Sequence, residues 1–284
     1  MRACRWKRFR IDRPALRVSR EPESARPIAP ADSQWETQPR RMLAPVLVIG
    51  AVCAALVVTG YRYGIPIVAE VAADQVPDSV LETIGQGMFK AMDAEVFTAT
   101  QLPKARRDRL LDRFATLKQP QARRSSPYQI LFRHSDQVGP NAMALPSGIV
   151  VVTDGLVELA DAEEEVIAVL AHEVGHVERR HGLRLVLQNS LLSLAVAWFV
   201  GDPGSLSAAA PTVLLEAKYS RDVEREADAY AVALLDANGI ARRHFARILE
   251  RLERVRPQGQ TDGRGVSSYL STHPVTAERL DALR

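Results

Sequence analysis

Cysteine is almost missing from this chain. Cys4 and Cys53 are the only two in 284 residues. The first lies in an arginine-rich N-terminal segment and the second in an apolar run. No disulfide framework and no cysteine metal site is therefore expected downstream. Aromatic residues make up only 6%. With no nucleic-acid-binding motif beside the basic N-terminus, nucleic acid is not an expected partner. The sequence shows no internal repeat, which argues against a solenoid. Charge is missing altogether from Met42 to Tyr61, twenty residues bracketed by Arg41 and Arg62. At 1.5 Å per residue, about 20 such residues span a hydrocarbon core of about 30 Å.

Residues 42–61 are therefore expected to be a transmembrane anchor. Pro45, Gly50 and Gly60 are all tolerated in such helices, and Tyr61 and Tyr63 sit where an interfacial aromatic belt belongs. Ahead of it, residues 1–41 hold eleven Lys or Arg against five acidic residues, a surplus of six in a chain of net charge +3. The remainder thus carries a net charge of minus three, and the pI near 9.0 comes from the tail. Arg62 is the only basic residue from position 61 to 80. That asymmetry places the N-terminus in the cytoplasm and the rest of the chain across the membrane, which in a bacterium is the periplasm. Pro14, Pro22, Pro27, Pro30 and Pro39 make the tail a loosely ordered segment, its basic residues suited to anionic lipid. A cleaved signal peptide ending near Val71-Ala72-Ala73 is the rival reading, but 41 residues ahead of the apolar run are too many for a simple signal.

The motif that carries chemistry is His172-Glu173-Val174-Gly175-His176, H-E-x-x-H in a helical context. Residues four apart share a helix face, so the two imidazoles converge on one metal ion, and Glu173 reaches water beside it as general base. A third protein ligand is needed, and Glu224 supplies it from a second apolar-periodic segment. Asp228, four residues on, is placed to accept the free N–H of a ligating histidine. Glu226 is expected to point away into solvent. His181 reads as a helix-end charge, and His134 and His244 as structural or exposed. The implied cofactor is one Zn²⁺ per chain, and the implied chemistry is metal-assisted hydrolysis.

These residues also carry a resemblance. HEVGH, then Glu224-x-x-x-Ala227-Asp228 ahead of an apolar helix, then Thr272-His273-Pro274 with Arg279-Leu280, resembles the gluzincin metallopeptidases that include the Ste-type prenyl-protein proteases, HtpX, and the BepA-like and Oma-type proteases. The likeness covers roughly residues 102–284. It implies a zincin-like peptidase domain and makes His172, His176 and Glu224 the zinc ligands and Glu173 the base. It implies an extended strand from Asn141 to Val151 along the cleft, with Ala142, Met143, Ala144 and Leu145 pairing with substrate backbone. It also brings His273 near the metal, as a gate or an oxyanion stabiliser; Tyr269 and Arg221 are alternatives for the latter. The expected substrates are unfolded or misassembled membrane or envelope proteins. Three other readings stay open: a zinc-binding chaperone-like scaffold, a prenyl-protein protease, and an adaptor recruiting a partner through helices around Arg242 to Arg256.

The remaining pattern is mainly α with a small β-sheet (α+β). After a helical linker at 62–101, the peptidase domain is expected at 102–284. Helices are expected at Pro77–Asp93 and Pro103–Leu117, and strands at Tyr128–Arg133 and Ala142–Thr153, the latter irregular at Pro146 and Gly148. Asp161 and Glu164 suggest a capping box for the HEVGH helix, and Arg179 to Gly182 its end. Residues 185–215, with Asp202 their only charge, read as a hydrophobic hairpin over the catalytic helices or against the membrane surface.

Overall fold

The computed structural model describes residues 38–119, 122–124, 126–200, 219–255 and 269–284. The basic tail up to residue 37 and residues 201–218 of the apolar hairpin lie outside the described residues. The chain divides into two compact units, Met1–Ala54 and Ala55–Arg284. In the first, the described residues belong to helix α1 (Gln38–Thr59). Val46, Leu47, Val48 and Ile49 are exposed there, an apolar surface that suits lipid rather than water.

The helix does not stop at Tyr61, as the charge-free run implied. It passes through a π-helical turn at Gly60–Gly64 and continues as α2 (Ile65–Gln75). The 31-residue run Pro45–Gln75 is the one helix, among the described residues, long and apolar enough to cross a membrane. At 1.5 Å per residue it is about 46 Å long, so about 15 Å remains beyond a 30 Å hydrocarbon core. Helix α3 (Asp78–Glu95) follows and packs against the turn before the last strand. Gly85 makes that approach possible, since a Cβ there would fall 2.1 Å from Ser147 Oγ.

A four-stranded mixed sheet runs in the order β1 (Thr98–Ala99), β2 (Gln129–His134), β4 (Ile149–Thr153), β3 (Ala142–Ala144). Strand β2 lies parallel to β4, and β1 and β3 flank them antiparallel. The single strand expected from Asn141 to Val151 is instead a hairpin. Leu145 N donates to Ile149 O and Gly148 N to Leu145 O, and Gly148 takes φ 82°, a left-handed turn that glycine adopts without strain. The chain doubles back at Pro146-Ser147-Gly148, which puts β3 on the sheet edge and β4, buried at all five positions, inside.

Helix α4 (Lys104–Ala115) lies between β1 and β2, with Leu110 and Phe114 on its buried stripe. Helix α5 (Asp154–Leu159) leaves β4 through Thr153, whose hydroxyl accepts from Leu156 N. The HEVGH helix is α6 (Glu163–Glu178), buried from Glu165 to Glu178. Its expected capping box does not form. Asp161 is drawn to Arg251, while its own backbone N–H donates to Glu165. Three acidic residues, Glu163 to Glu165, still complement the positive end of the helix. Ile167, Leu170 and Val174 join the main core with Leu234 and Leu235 of α8 (Arg221–Ala237) and Phe245 and Ile248 of α9 (Arg243–Val255). Burial of such side chains contributes about 1.5–3 kcal/mol each, so α6 is the pillar of the domain. Helix α7 (His181–Val200) precedes α8 in sequence, and α10 (Tyr269–Thr272) and α11 (Ala277–Leu283) close the described chain.

Candidate metal centre

Two helices supply the centre, and a glycine sets their spacing. At Gly175, inside HEVGH, a Cβ would lie 2.9 Å from Ala227 O and 3.1 Å from Ala227 Cα. Only glycine lets α6 come this close to α8, one turn beyond Glu224. His172 and His176 then face Glu224 at 3.6 and 3.5 Å. All three are at most 2% exposed. One donor atom each from His172, His176, Glu224 and His273 lies within 4.8 Å of the others.

Hydrogen positions follow from the outer partners. Asp228 Oδ1 sits 2.9 Å from His172 Nδ1. A carboxylate only accepts, so His172 carries its proton on Nδ1 and leaves a lone pair on Nε2. On His176, Nδ1 lies 3.0 Å from His181 Nδ1, and His181 Nε2 lies 3.2 Å from Glu226 Oε2. His181 donates through Nε2, so its Nδ1 accepts from His176 Nδ1–H, and His176 too is left with a lone pair on Nε2. Burial holds His176 far below the ordinary imidazole value. It also pulls His181 down to about 4 against the attraction of Glu226. Two lone pairs thus face each other 3.0 Å apart beside a carboxylate. They cannot hydrogen-bond to one another, and a cation between them satisfies all three groups. The residues fit a metal ion.

Around this core the charges are tightly matched. Arg279, 6% exposed, holds Asp228 with two nitrogens at 2.7 and 2.8 Å and reaches Glu224 Oε2 at 2.7 Å. Burial alone would raise Glu224, but His273, His176 and His172 outweigh it and bring its carboxyl well below the usual range. Glu173 is different. Burial raises it, with His273 and His172 opposing only in part, and its Oε1 has no hydrogen-bond partner among the described residues. His273 lies between the two carboxylates, Nδ1 2.9 Å from Glu224 Oε1 and Nε2 3.6 Å from Glu173 Oε1. Burial lowers His273, and Glu224 and Glu173 more than reverse that, so it stays above the ordinary value.

The cleft over these groups is lined by Met92, Asn141 to Leu145, Glu173, Tyr219, Thr272 and His273. Ala142, Met143 and Ala144 form the edge strand along it, whereas Leu145 turns into a small core with Met88 and Phe97. Tyr269 is fully buried and stacks on His273 with ring centroids 4.6 Å apart. Arg221 is exposed at the start of α8 and does not line the cleft, so it is no candidate for the oxyanion.

One expectation is overturned, one holds in part and one residue was missed. His181 is not a helix-end charge. It is 2% exposed and bonded to His176, because Arg180 takes φ 55° and turns α7 back onto the end of α6. Glycine was the expected agent, at Gly182. Arg180 bears the left-handed strain instead, its guanidinium bonded to Ala73 O at 2.6 Å, Val76 O at 2.7 Å and Asp78 at 3.0 Å. Glu226 does not simply point into water; it is half-exposed and holds His181. Tyr219, which stacks on His176 at 4.4 Å, carried no sequence signal because it stands outside every spacing pattern.

An H-E-x-x-H helix packed on a second helix that presents a carboxylate, over an edge strand, is the arrangement of a zincin-like metallopeptidase domain. Comparison with known sequences narrows the class. The model of peptidase family M48 matches residues 101–284, and the chain belongs to that family. It is similar to metalloprotease LoiP of Escherichia coli, 33% identical over 51% of this chain and 57% of that protein. It is likewise similar to mitochondrial metalloendopeptidase OMA1 of Arabidopsis thaliana, 33% identical over 49% of this chain and 28% of that protein. The beta-barrel assembly-enhancing protease of Yersinia pestis is 29% identical over 56% of this chain and 34% of its own length. The chain thus spans between about a quarter and just over half of these relatives.

Proposed function

We propose that the chain is a membrane-anchored, zinc-dependent endopeptidase that cuts unfolded or misassembled membrane or envelope proteins. The observation that carries this reading is the convergence of two imidazole lone pairs and the Glu224 carboxylate beside Glu173, a buried carboxyl with an oxygen left unpartnered among the described residues. His172, His176 and Glu224 would hold one Zn²⁺, with Asp228 orienting His172. A zinc ion bound there would supply Lewis acidity, polarising a peptide carbonyl and lowering the pKa of water towards about 7.

The chain's own groups do the rest. Glu173, raised above the ordinary carboxyl range by burial, takes the water proton and delivers it to the leaving amine. Ala142, Met143 and Ala144 pair with an extended substrate as an added strand, since β3 is the edge of the sheet. His273 acts as a gate, because its imidazole offers a fourth donor atom within 4.8 Å of those of His172, His176 and Glu224 and so competes for the position that water needs. The name of one relative, a beta-barrel assembly-enhancing protease, supports a role in the quality control of envelope proteins. The basic residues ahead of the apolar run support an orientation with the N-terminus in the cytoplasm and the peptidase domain across the membrane.

The test uses the full chain in detergent micelles. Metal analysis is expected to find one zinc per chain, and digestion of an unfolded protein to stop with chelator. Glu173→Gln is expected to keep zinc and lose cleavage; His172→Ala loses both. A Glu173→Gln chain that digests at the wild-type rate would refute the assignment. Zinc binding and peptide retention without cleavage would favour a scaffold.

A further inference from the structure

We infer that His181 and Glu226 are positioning residues for the metal centre, acting through His176. They form a line of hydrogen bonds from Glu226 Oε2 to His181 Nε2 (3.2 Å) and from His181 Nδ1 to His176 Nδ1 (3.0 Å), whose far end is the His176 Nε2 lone pair. The inference rests on the reading of His172, His176 and Glu224 as metal ligands.

The two ligating imidazoles have unlike supports. His172 leans on Asp228, a carboxylate in direct contact and clamped by Arg279. Among the described residues, His176 has no carboxylate on its Nδ1. It has another imidazole, and the carboxylate stands one ring further out. A histidine in that place must itself be held in one tautomer, with Nδ1 bare, or it would meet His176 as a second donor. Glu226 enforces this by accepting at Nε2. Arg184 keeps Glu226 in place, one nitrogen 3.9 Å from the same oxygen and the other 3.0 Å from Glu70 of α2. Both rings of the line are at most 2% exposed, so water does not reach the bond between them, while the Glu226 carboxylate at the outer end is half-exposed. Tyr219 stacked on His176 leaves the ring one orientation in which Nδ1 meets His181 and Nε2 meets His172.

The geometry also explains the strained turn. Arg180 at φ 55° aims the first residue of α7 at the last turn of α6. Had α6 run on as a helix, position 181, five residues past His176, would lie about 140° round the axis, away from the ligand face. The turn converts a residue off the motif into one bonded to it.

Removing such a partner weakens metal binding by about 10- to 100-fold. The full chain, stripped of metal in detergent micelles, is titrated with Co²⁺, the visible bands reporting the site and a melt of the metal-free chain reporting the fold. His181→Phe keeps a ring but offers no acceptor, and is expected to weaken Co²⁺ binding by about 10- to 100-fold. His181→Asn places its amide oxygen near where Nδ1 stood, and is expected to recover most of that loss. Glu226→Gln is expected to weaken binding less than His181→Phe, because the amide oxygen still accepts. If Asn weakens binding as much as Phe, the residue only packs and the inference falls. Equal Co²⁺ affinity in wild type and His181→Phe overturns it as well while leaving the metal site intact. Wild-type chain that gives no Co²⁺ bands overturns both the site and its support.

Discussion

Adding one methyl group at Gly175 tests the idea that close helix contact builds the site. In Gly175→Ala the new Cβ would stand 2.9 Å from Ala227 O, 3.1 Å from Ala227 Cα and 3.1 Å from Tyr230 Cβ. Two of these are backbone atoms of α8, which no rotamer change can move aside. Helix propensity alone favours alanine by about 1 kcal/mol. Overpacking of this kind costs about 1–3 kcal/mol, so the net is a loss of about 1 kcal/mol, or about 2–4 °C in melting temperature. The larger effect falls on function. To regain ordinary contact, α8 must retreat by a few tenths of an ångström and carry Glu224 and Asp228 with it. Metal affinity, measured by chelator competition on the full chain, is expected to fall about tenfold, the lower bound for disturbing groups around a metal. A control separates the two terms. Gly87 of α3 has nothing within 4 Å of its would-be Cβ, so Gly87→Ala should raise stability by about 0.5–1 kcal/mol without touching affinity. If Gly175→Ala behaves like that control, stabilised and with unchanged affinity, the close-approach argument is wrong.

Other outcomes follow from the same geometry. Arg279→Met leaves Glu224 and Asp228 buried without their cation, and should cost the metal-free chain about 3–5 kcal/mol in urea denaturation; a loss below about 1 kcal/mol would contradict the pairing. Leu170→Ala, at the centre of the α6 packing, should cost about 2–5 kcal/mol in the same assay, with a milder loss indicating a looser core. Tyr128 donates its phenol to Glu178, and burial first, then that bond, holds its pKa above the ordinary tyrosine value. A raised folded-state pKa means the contribution is whole below pH 10 and is lost as pH rises beyond it, so Tyr128→Phe should flatten the alkaline fall in stability. An unchanged slope would show that Tyr128 titrates alike in the folded and unfolded chain, contradicting the raised pKa.

Much of the centre could be read from spacing because helices carry it. His172, His176, Glu224 and Asp228 are pairs four apart, and the 3.6-residue repeat puts each pair on one face whatever surrounds it. The structure brings these four together, and His273 with them. What escaped has a common cause. His181 joins the centre through a left-handed arginine, a backbone state rare outside glycine and asparagine. Nothing local marks Arg180 for it; the guanidinium bonds to Ala73, Val76 and Asp78 that stabilise it come from about a hundred residues away. The β3–β4 hairpin was hidden for the opposite reason: Pro146 and Gly148 marked an irregularity, but only the ladder between Ala142–Ala144 and Val150–Val152 shows that the chain reverses there.

The same contrast bears on how the centre and the anchor depend on each other. Arg180 and Arg184 flank His181 in sequence, and both reach back to the segment that follows the apolar run: Arg180 to Ala73 and Val76, Arg184 to Glu70. The turn that delivers His181 to His176 is therefore braced by the end of the helix that extends beyond a bilayer's thickness. Loss of those contacts would release the left-handed strain at Arg180 and let position 181 swing off His176, while the H-E-x-x-H helix, buried on every side from Glu165 to Glu178, stays in place. A chain trimmed to begin after Gln75 loses Glu70 and the bond to Ala73 O while Val76 O and Asp78 still hold Arg180, and should accordingly keep its α6 packing and hold metal somewhat less tightly than the full chain. Equal metal affinity in the two would mean that Arg180 keeps its conformation without help from α2.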